Sequence, residues 1–329
     1  FLSYLLQSLR ILIFNPQREN KKSIYIVGDK DEVSQFINKV KSYLKAREIE
    51  FFVIDSIDEI TSDRKNFKSV ILAHDTSRLK NSELVFRKSI KDNMEILTKA
   101  NWCEKYLQKI PSEYISNNSM EFNSKYLNSN IIHKRLKRFG DILLSLILIV
   151  LSSPIIIIFG ILIKLEDNGP IFYRQLRTGI FEENILITKL RSMKINSEEL
   201  VGPVWADKQD KRITKTGFII RKSRIDELPQ LWSVLIGDMS LIGPRPERPE
   251  IEKKLTQKIA NYKYRHIIKP GLSGWAQVNY HYGSSIKDSS EKLSYDLFYI
   301  QNQSIWLDIL ILIKTIKIIF TMKGSMPKR

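Results

Sequence analysis

The amino-acid sequence predicts two different domains in a chain of 329 residues: an α/β domain with a mostly parallel sheet, then a mainly helical domain embedded in a membrane. Three observations predict this fold class. Short β-branched runs alternate with a helical pattern before residue 115, residues 142–163 carry no charge, and positive charge is concentrated after residue 130. A composition of 43% hydrophobic and 27% charged residues excludes wholesale disorder.

The first domain is predicted from three short apolar runs. Residues 23–28 (SIYIVG) form the first, and apolar residues recur at helical spacing directly after it. Residues 50–54 and 69–73 supply two further buried strands, so we expect alternating strands and helices over residues 21–115. A dinucleotide site needs several glycines after the first strand, and only Gly28 is there. This favours a scaffold or regulatory domain and leaves nucleotide binding open.

The segments beside this domain are predicted from their composition. Residues 1–20 are apolar with Arg10 interrupting them, so they form either the end of an upstream membrane helix or an amphipathic lead-in. Because the first residue is not Met, we expect the chain to start inside a longer protein. Residues 116–133 are rich in Ser and Asn, which predicts a linker. Cys103 has no cysteine partner and is expected to be a small buried side chain.

Residues 142–163 are apolar for the length of a membrane helix. A straight helix of that length would run about 33 Å, enough to span a bilayer. Ser153 and Pro154 lie in its middle, and a proline there removes a backbone hydrogen bond, so we expect a break. Basic residues flank both ends: Lys134, Arg135, Lys137 and Arg138 before it, and Lys164, Arg174 and Arg177 after it. Because basic residues favour the cytoplasmic side, a re-entrant hairpin over residues 141–165 is favoured over a span.

A second apolar stretch follows at residues 305–320. Asp308, Lys314 and Lys317 interrupt it, which indicates a helix that lies in the membrane interface, and Trp306 would anchor it there.

The net charge of +17 predicts an anionic partner, and the distribution of the charge along the chain helps to decide which kind of partner it is. Residues 131–329 carry 32 Lys and Arg against 19 Asp and Glu. Nucleic acid is rejected as the partner, because the sequence has no groove-reading element or aromatic platform and the membrane segment explains the charge better.

Four motifs lie between the two apolar stretches. They are IFYRQLRTG (171–179), ITKLRSM (187–193), IIRKSRIDELPQLWSVLIGDMSLIGPRPE (219–247) and KPGLSGWAQVN (269–279). In order and spacing they resemble the bacterial sugar transferase family, the monotopic polyprenol-phosphate phosphoglycosyl transferases. The resemblance runs from Lys134 to Phe320 and includes the basic lead KRFGD and the Ser-Pro pair.

The resemblance implies a fold for both domains. Residues 134–329 would form a mainly α membrane-embedded catalytic domain with a re-entrant helix-break-helix hairpin and interfacial helices. The first domain is similar to the degenerate Rossmann-like domain of larger members of the family, and a homo-oligomer formed through it is left open.

The resemblance also implies a reaction. It places the family's catalytic dyad on Asp226 and Glu227. Asp226 would attack the sugar-bearing phosphate of a UDP-sugar, releasing UMP and leaving a covalent phosphosugar. Polyprenol (undecaprenyl) phosphate would then take the phosphosugar, giving the polyprenol diphosphosugar that initiates a surface polysaccharide or glycan. The resemblance further implies that Asp226 binds Mg²⁺. It also implies a location at the cytoplasmic face of the bacterial inner membrane.

Elementary electrostatics makes Asp226 a plausible nucleophile. An aspartate with an ordinary pKa near 3.9 is ionised at neutral pH and needs no general base. However, two like charges about 4 Å apart at an effective dielectric of about 20 repel by about 4 kcal/mol, so cations must gather where the diphosphate binds. The predicted binding residues are Lys189, Arg191, Arg221, Arg245 with its flanking Pro244 and Pro246, Gln175 and Arg177. Glu227 is expected to orient groups or bind metal, and a role in proton transfer is left open.

The sequence leaves two alternative functions open. A non-catalytic membrane scaffold or regulator of polysaccharide assembly would share the fold, although the intact dyad argues against it. An ordinary glycosyltransferase would release UDP instead of UMP. No residue indicates which sugar is transferred.

Overall fold

A computed structural model describes residues 22–28, 30–43, 49–54, 69–72, 95–115, 131–195, 197, 212–280, 283 and 285–321. These residues fall in two compact units, one ending at Ile110 and the other starting at Pro111. The predicted segment 1–20 and the predicted linker up to residue 130 lie outside the described residues. The last three residues of that linker, 131–133, are already helical.

The first unit contains a parallel sheet. Its described strands are β1 (Lys22–Val27), β2 (Ile49–Ile54), β3 (Ser69–Leu72) and β4 (Glu95–Thr98), in the order β2-β1-β3-β4. Every neighbouring pair is parallel, which confirms the predicted sheet and adds a fourth strand. Its described helices are α1 (Lys30–Tyr43) and α2 (Lys99–Leu107).

The core of this unit is apolar and aromatic. Helix α1 buries Val33, Phe36 and Val40, which share one face of a helix. The ring of Phe36 packs edge-on against Trp102 of α2, with centroids 5.8 Å apart. Cys103 is buried beside Trp102, as predicted.

The second unit is mainly helical, as predicted. Its described helices are α3 (Ile131–Asp167), α4 (Lys215–Lys222), α5 (Leu231–Ile236), α6 (Pro249–Lys258), α7 (Trp275–Asn279), α8 (Ile286–Gln301) and α9 (Ile305–Thr321). Two small sheets were not predicted. Strands β5 (Phe172–Thr178) and β6 (Asn184–Leu190) form an antiparallel hairpin, and β7 (Ser240–Ile242) pairs in parallel with β8 (Gly271–Ser273).

Helix α3 is the one described helix that is long and apolar enough to cross a membrane. Its most apolar window has a mean hydropathy of 3.0, and only 17% of that window is buried. Leu151, for example, is 67% exposed. A buried core helix of a soluble protein would hide such side chains, so α3 presents an apolar surface to its surroundings.

Helix α3 continues through Ser153 and Pro154 without interruption. Pro154 has no N–H to donate to the carbonyl of Val150, and the hydroxyl of Ser153 donates to that carbonyl instead, at 2.8 Å. The serine therefore replaces the hydrogen bond that the proline removes. Within the described residues the expected break in helical conformation is not present, and the hairpin stays a prediction.

Both ends of α3 are attached to the same unit. Near its start, Arg138 donates to two carbonyls at the end of α5 (2.6 and 2.7 Å), and Asp141 accepts from the N–H of Leu241 in β7 at 3.0 Å. Near its end, the carboxylate of Glu166 accepts from the N–H of Lys215, in the first turn of α4, at 2.8 Å. The apolar middle of α3 thus lies between two polar anchors on one globular body.

Candidate active site

The β5–β6 hairpin supplies one wall of the site. Side chains alternate across a strand, so Tyr173, Gln175 and Arg177 share one face, and Lys189 lies opposite Tyr173 in the register. These four residues line a cavity of about 930 Å³. Phe172 lies on the opposite, exposed face.

The dyad lies on a short 3₁₀ segment, Ile225–Gln230, between α4 and α5. The segment follows Arg224, whose φ of 57° turns the chain sharply after α4. Ile225 packs against a buried cluster that contains Ile163 of α3 and Leu190 of β6. This apolar anchor fixes the next two residues, Asp226 and Glu227, against the cavity.

Glu227 is surrounded by cations. Arg245 contacts both carboxylate oxygens, with Nη1 donating to Oε2 at 3.2 Å and Nη2 donating to Oε1. Lys189 Nζ lies 3.5 Å from Oε1 and Arg224 Nη1 lies 3.8 Å from Oε2. Burial acts to raise the pKa of Glu227, but Arg245 and Lys189 outweigh it and hold that pKa well below its usual range. Glu227 is therefore ionised, and both of its carboxylate oxygens contact cations.

Asp226 has a different environment from its neighbour. It is 9% exposed, and burial, with the adjacent charge of Glu227, raises its pKa to about 6 against the opposing effect of Lys189, Arg221 and Arg245. The expected ordinary pKa is thus wrong, because the sequence does not show this burial. At pH 7 a carboxyl with this pKa is about 90% ionised, so it can still act as a nucleophile without a general base.

The loop that carries Arg245 is held through its backbone. The carbonyl of Pro244 accepts from the N–H of Gly271 at 2.8 Å, and the carbonyl of Arg245 accepts from Arg265 at 2.7 Å. Arg265 is itself buried and paired with Asp296 at 3.1 Å. This network leaves the guanidinium of Arg245 directed at Glu227.

The glycines of this region are required by close packing between two segments of the backbone. A Cβ on Gly243 would lie 2.5 Å from the carbonyl oxygen of Lys269, and one on Gly274 would lie 2.2 Å from the carbonyl oxygen of Gly243. Real Cβ atoms do not approach backbone so closely, so the motif KPGLSGWAQVN serves to bring β8 against the Arg245 loop.

Gln175 and Arg177 connect the hairpin to that loop. Arg177 donates to Gln175 Oε1 at 2.6 Å and to the carbonyl of Pro246 at 3.1 Å, and it lies 3.7 Å from Glu247. Pro246 is buried, as is Pro244. Both prolines and this Arg–Gln pair therefore shape the wall of the cavity, and their predicted contacts with substrate phosphate stay predictions.

Arg191 makes contacts that the sequence did not indicate. Its guanidinium pairs with both carboxylate oxygens of Asp167, with Nη1 at 2.5 Å from Oδ2, and Nε donates to the carbonyl of Pro170 at 2.6 Å. It is buried. These bonds give Arg191 a structural role at the end of α3. Because Arg191 also lines the cavity, its predicted phosphate contact stays a prediction.

The predicted cations Lys189, Arg221 and Arg245 do converge on the dyad, since each lowers the pKa of Asp226. The described lining of the cavity contains twelve Lys and Arg side chains against four Asp and Glu. Its volume is within the range of small-molecule sites. The arrangement can receive a polyanion of nucleotide size beside a buried carboxylate.

A resident metal would have few protein ligands here. The described residues contain no group of three His, Cys, Asp or Glu side chains that could hold one. Mg²⁺ commonly takes one or two carboxylates and completes its shell with substrate phosphates and water. The carboxylate of Asp226 fits that pattern, whereas both oxygens of Glu227 are contacted by Arg245.

Comparison with known proteins identifies the family. The profile described as bacterial sugar transferase matches residues 132–322, more than half of the chain. The chain belongs to the bacterial sugar transferase family. The match covers α3, both small sheets and the dyad, and leaves out the first unit.

Curated relatives of this chain carry related names. One from Aeromonas hydrophila, named UDP-N-acetylgalactosamine-undecaprenyl-phosphate N-acetylgalactosaminephosphotransferase, is 47% identical over 194 residues, 59% of this chain and 46% of the relative. Two others are named UDP-glucose:undecaprenyl-phosphate glucose-1-phosphate transferase. The one from Escherichia coli (strain K12) is 37% identical over 56% of this chain and 40% of its own length. The one from Caulobacter vibrioides is 37% identical over 56% of this chain and 70% of its own length.

The chain spans less than half the length of the Aeromonas and Escherichia relatives.

Arg224 contacts Glu227 from three residues earlier, and the sequence already places this cation beside the dyad. Sequence reasoning missed the residues that support the Arg245 loop. Arg265 and Asp296 support the Arg245 loop from behind, and no local pattern marks them.

Proposed function

We propose that this protein transfers a sugar 1-phosphate from a UDP-sugar to polyprenol phosphate, with Asp226 as the nucleophile. One observation carries the proposal: a buried carboxylate with a raised pKa lies beside cations that a second carboxylate, Glu227, already holds in place. The names of the relatives support the two substrates. Because those names include both N-acetylgalactosamine and glucose, we propose the class of UDP-hexose rather than one sugar.

The first step is a phosphoryl substitution at the sugar-bearing phosphorus. An oxygen of Asp226 forms the new P–O bond, and the bond to the oxygen bridging the two phosphates breaks. UMP leaves as a dianion, since a phosphate monoester has its second pKa near 6, so charge balances without a proton donor. Lys189 and Arg245 lie where they can neutralise the charge that moves toward the leaving phosphate.

The second step regenerates the enzyme. A phosphate oxygen of polyprenol phosphate attacks the same phosphorus, the bond to Asp226 breaks, and the carboxylate is released with the polyprenol diphosphosugar. Glu227 transfers no proton in either step, because its low pKa and its contacts with Arg245 keep it ionised. Its role is to position cations.

Mg²⁺ belongs to the proposal as a cofactor held by Asp226 and the substrate phosphates, where it would supply charge neutralisation of the diphosphate.

The most direct experiment measures the nucleotide product. Purified protein with a panel of UDP-sugars, polyprenol phosphate and Mg²⁺ should release UMP, and Asp226→Asn should abolish release. In the absence of polyprenol phosphate, the wild type should release one equivalent of UMP and retain the sugar phosphate covalently, visible as a mass increase. UDP as product, or full activity of the Asp226→Asn variant, would refute the proposal. No turnover with any UDP-sugar would favour a scaffold or regulator.

We further propose that α3 enters and leaves the bacterial inner membrane on its cytoplasmic face. The support is that Arg138 at one end and Glu166 at the other bind the same globular unit, which has to lie on one side of the bilayer. The exposed residues Arg135 and Asn168 suit cysteine labelling in sealed vesicles, with the native Cys103 replaced by Ala. Both positions should react from the same face. Reaction from opposite faces would show that α3 spans the bilayer.

A further inference from the structure

Helix α9 has an outward face and an inward face. Trp306, Ile313 and Phe320 belong to an exposed apolar row, with Phe320 83% exposed, whereas Leu307 and Ile311 are buried against the unit. A helix that turns its apolar side outward suits an apolar environment such as the lipid interface.

The inward face of α9 is fixed in position. Lys314 Nζ donates to Asn279 Oδ1 at 2.8 Å and lies 4.3 Å from the ring centre of Trp275. The hydroxyls of Thr315 and Ser273 share a hydrogen bond of 2.6 Å. These contacts hold α9 against α7 and β8, so its last turn has a defined place relative to the site.

The last turn of α9 reaches the cavity. Lys317, Ile318 and Thr321 line the same cavity as the dyad of Asp226 and Glu227. The cavity therefore extends from the nucleophile to a helix whose other face is exposed and apolar. An amphiphile could place a polar head in the cavity and keep an apolar chain outside it.

The cations that line the cavity differ in whether a carboxylate is paired with them. At the dyad, Lys189 and Arg245 are paired with Glu227, and Arg177 lies near Glu247. Among the residues that the structure describes, Lys317 has no carboxylate partner. The wall beside it includes Ile318 and the apolar side chains of Ala276 and Val278. This end of the cavity thus combines apolar surface with Lys317, a cation that has no carboxylate partner among the described residues.

We propose that the last turn of α9 is the acceptor subsite, where Lys317 pairs with the phosphate of polyprenol phosphate while the polyprenyl chain lies along the outward face of α9. The inference rests on the proposed function. A phosphate monoester carries about 1.5 to 2 negative charges at pH 7, so an ammonium group at this position favours its approach to the covalent phosphosugar on Asp226. The transfer that follows is the second step described above, in which the bond from phosphorus to Asp226 breaks.

The test separates the two half-reactions in the full chain, with the variants Lys317→Ala, Lys317→Glu and Lys317→Arg. The Ala variant should raise KM for polyprenol phosphate about 5- to 20-fold, the loss of one charge-assisted contact, and the Glu variant should raise it further. Lys317→Arg should keep the KM for polyprenol phosphate close to the wild-type value. The UMP burst without acceptor and the KM for UDP-sugar should not change. Lys287→Ala is the matched control, because Lys287 is an exposed lysine on α8 outside the cavity lining.

Three results would overturn the subsite. An unchanged KM for polyprenol phosphate would do so, as would a smaller UMP burst, which would assign Lys317 to the donor. The third is a rise in the KM for polyprenol phosphate that appears only in vesicles with anionic phospholipid, because Lys317 would then bind lipid headgroups. If wild-type protein gives no UMP burst, the proposed function itself fails, which is a distinct outcome.

Discussion

The raised pKa of Asp226 predicts that the proposed first half-reaction depends on pH. Only the ionised carboxylate can attack, and its pKa of about 6 follows from burial and the charge of Glu227. The ionised fraction falls from about 90% at pH 7 to about 10% at pH 5. The rate of covalent phosphosugar formation should therefore drop about tenfold over that range, as expected for the titration of a single group.

The assay is single-turnover UMP release without acceptor, measured by initial rates between pH 5 and pH 8. An ordinary aspartate, with its pKa near 3.9, would lose less than about 10% of its rate by pH 5. A flat profile down to pH 5 would therefore refute the buried, charge-coupled environment of Asp226. In Glu227→Gln the inflection should move to lower pH, because the second cause of the raised pKa is removed, whereas a proton-donating Glu227 would make that variant slow at every pH.

Three further predictions concern stability and binding. Because the folded state raises the pKa of Asp226 from about 3.9 to about 6, ionisation of this carboxyl costs stability, and the cost grows above about pH 4 and is complete above about pH 6. Asp226→Asn should therefore raise the free energy of unfolding at pH 7 by up to about 3 kcal/mol, a gain that disappears below about pH 4 and that urea titrations at both pH values measure. Arg245→Lys should lower kcat/KM for UDP-sugar about 10- to 100-fold through loss of the two-point contact with Glu227, and steady-state kinetics with unchanged KM for polyprenol phosphate checks this. Asp167→Asn should destabilise the protein by about 1–3 kcal/mol by leaving Arg191 unpaired, without raising KM for UDP-sugar. A raised KM with an unchanged melting temperature would instead assign Arg191 to phosphate binding.

Much of the fold could be predicted because it depends on local patterns. The β-branched runs at residues 23–28, 50–54 and 69–73 coincide with β1, β2 and β3, and the uncharged stretch at residues 142–163 lies inside α3. The β7–β8 pair could not be predicted in the same way. Its strands have three residues each and are stabilised by the close approach of distant glycines.

The position of the dyad could be predicted from the sequence, whereas its surroundings were less predictable. The motif around Asp226 and Glu227 identified the dyad, but burial and charge pairing decide which carboxylate titrates near neutrality. The pairing of Arg191 could not be predicted in the same way, because its partner Asp167 is 24 residues away along the chain. Pairing over such distances is set by the tertiary fold.

The ion cluster at Glu227 has a consequence for the energetics of turnover. Lys189 and Arg245 would repel each other in an empty cavity, and Glu227 acts as a resident counter-ion that keeps them together. In the proposed reaction these cations would be oriented before the diphosphate binds, so the reorganisation energy that water dipoles would contribute to the barrier is small. The same carboxylate would then limit how tightly any phosphate is held and so favour release of UMP and of the lipid product after each cycle.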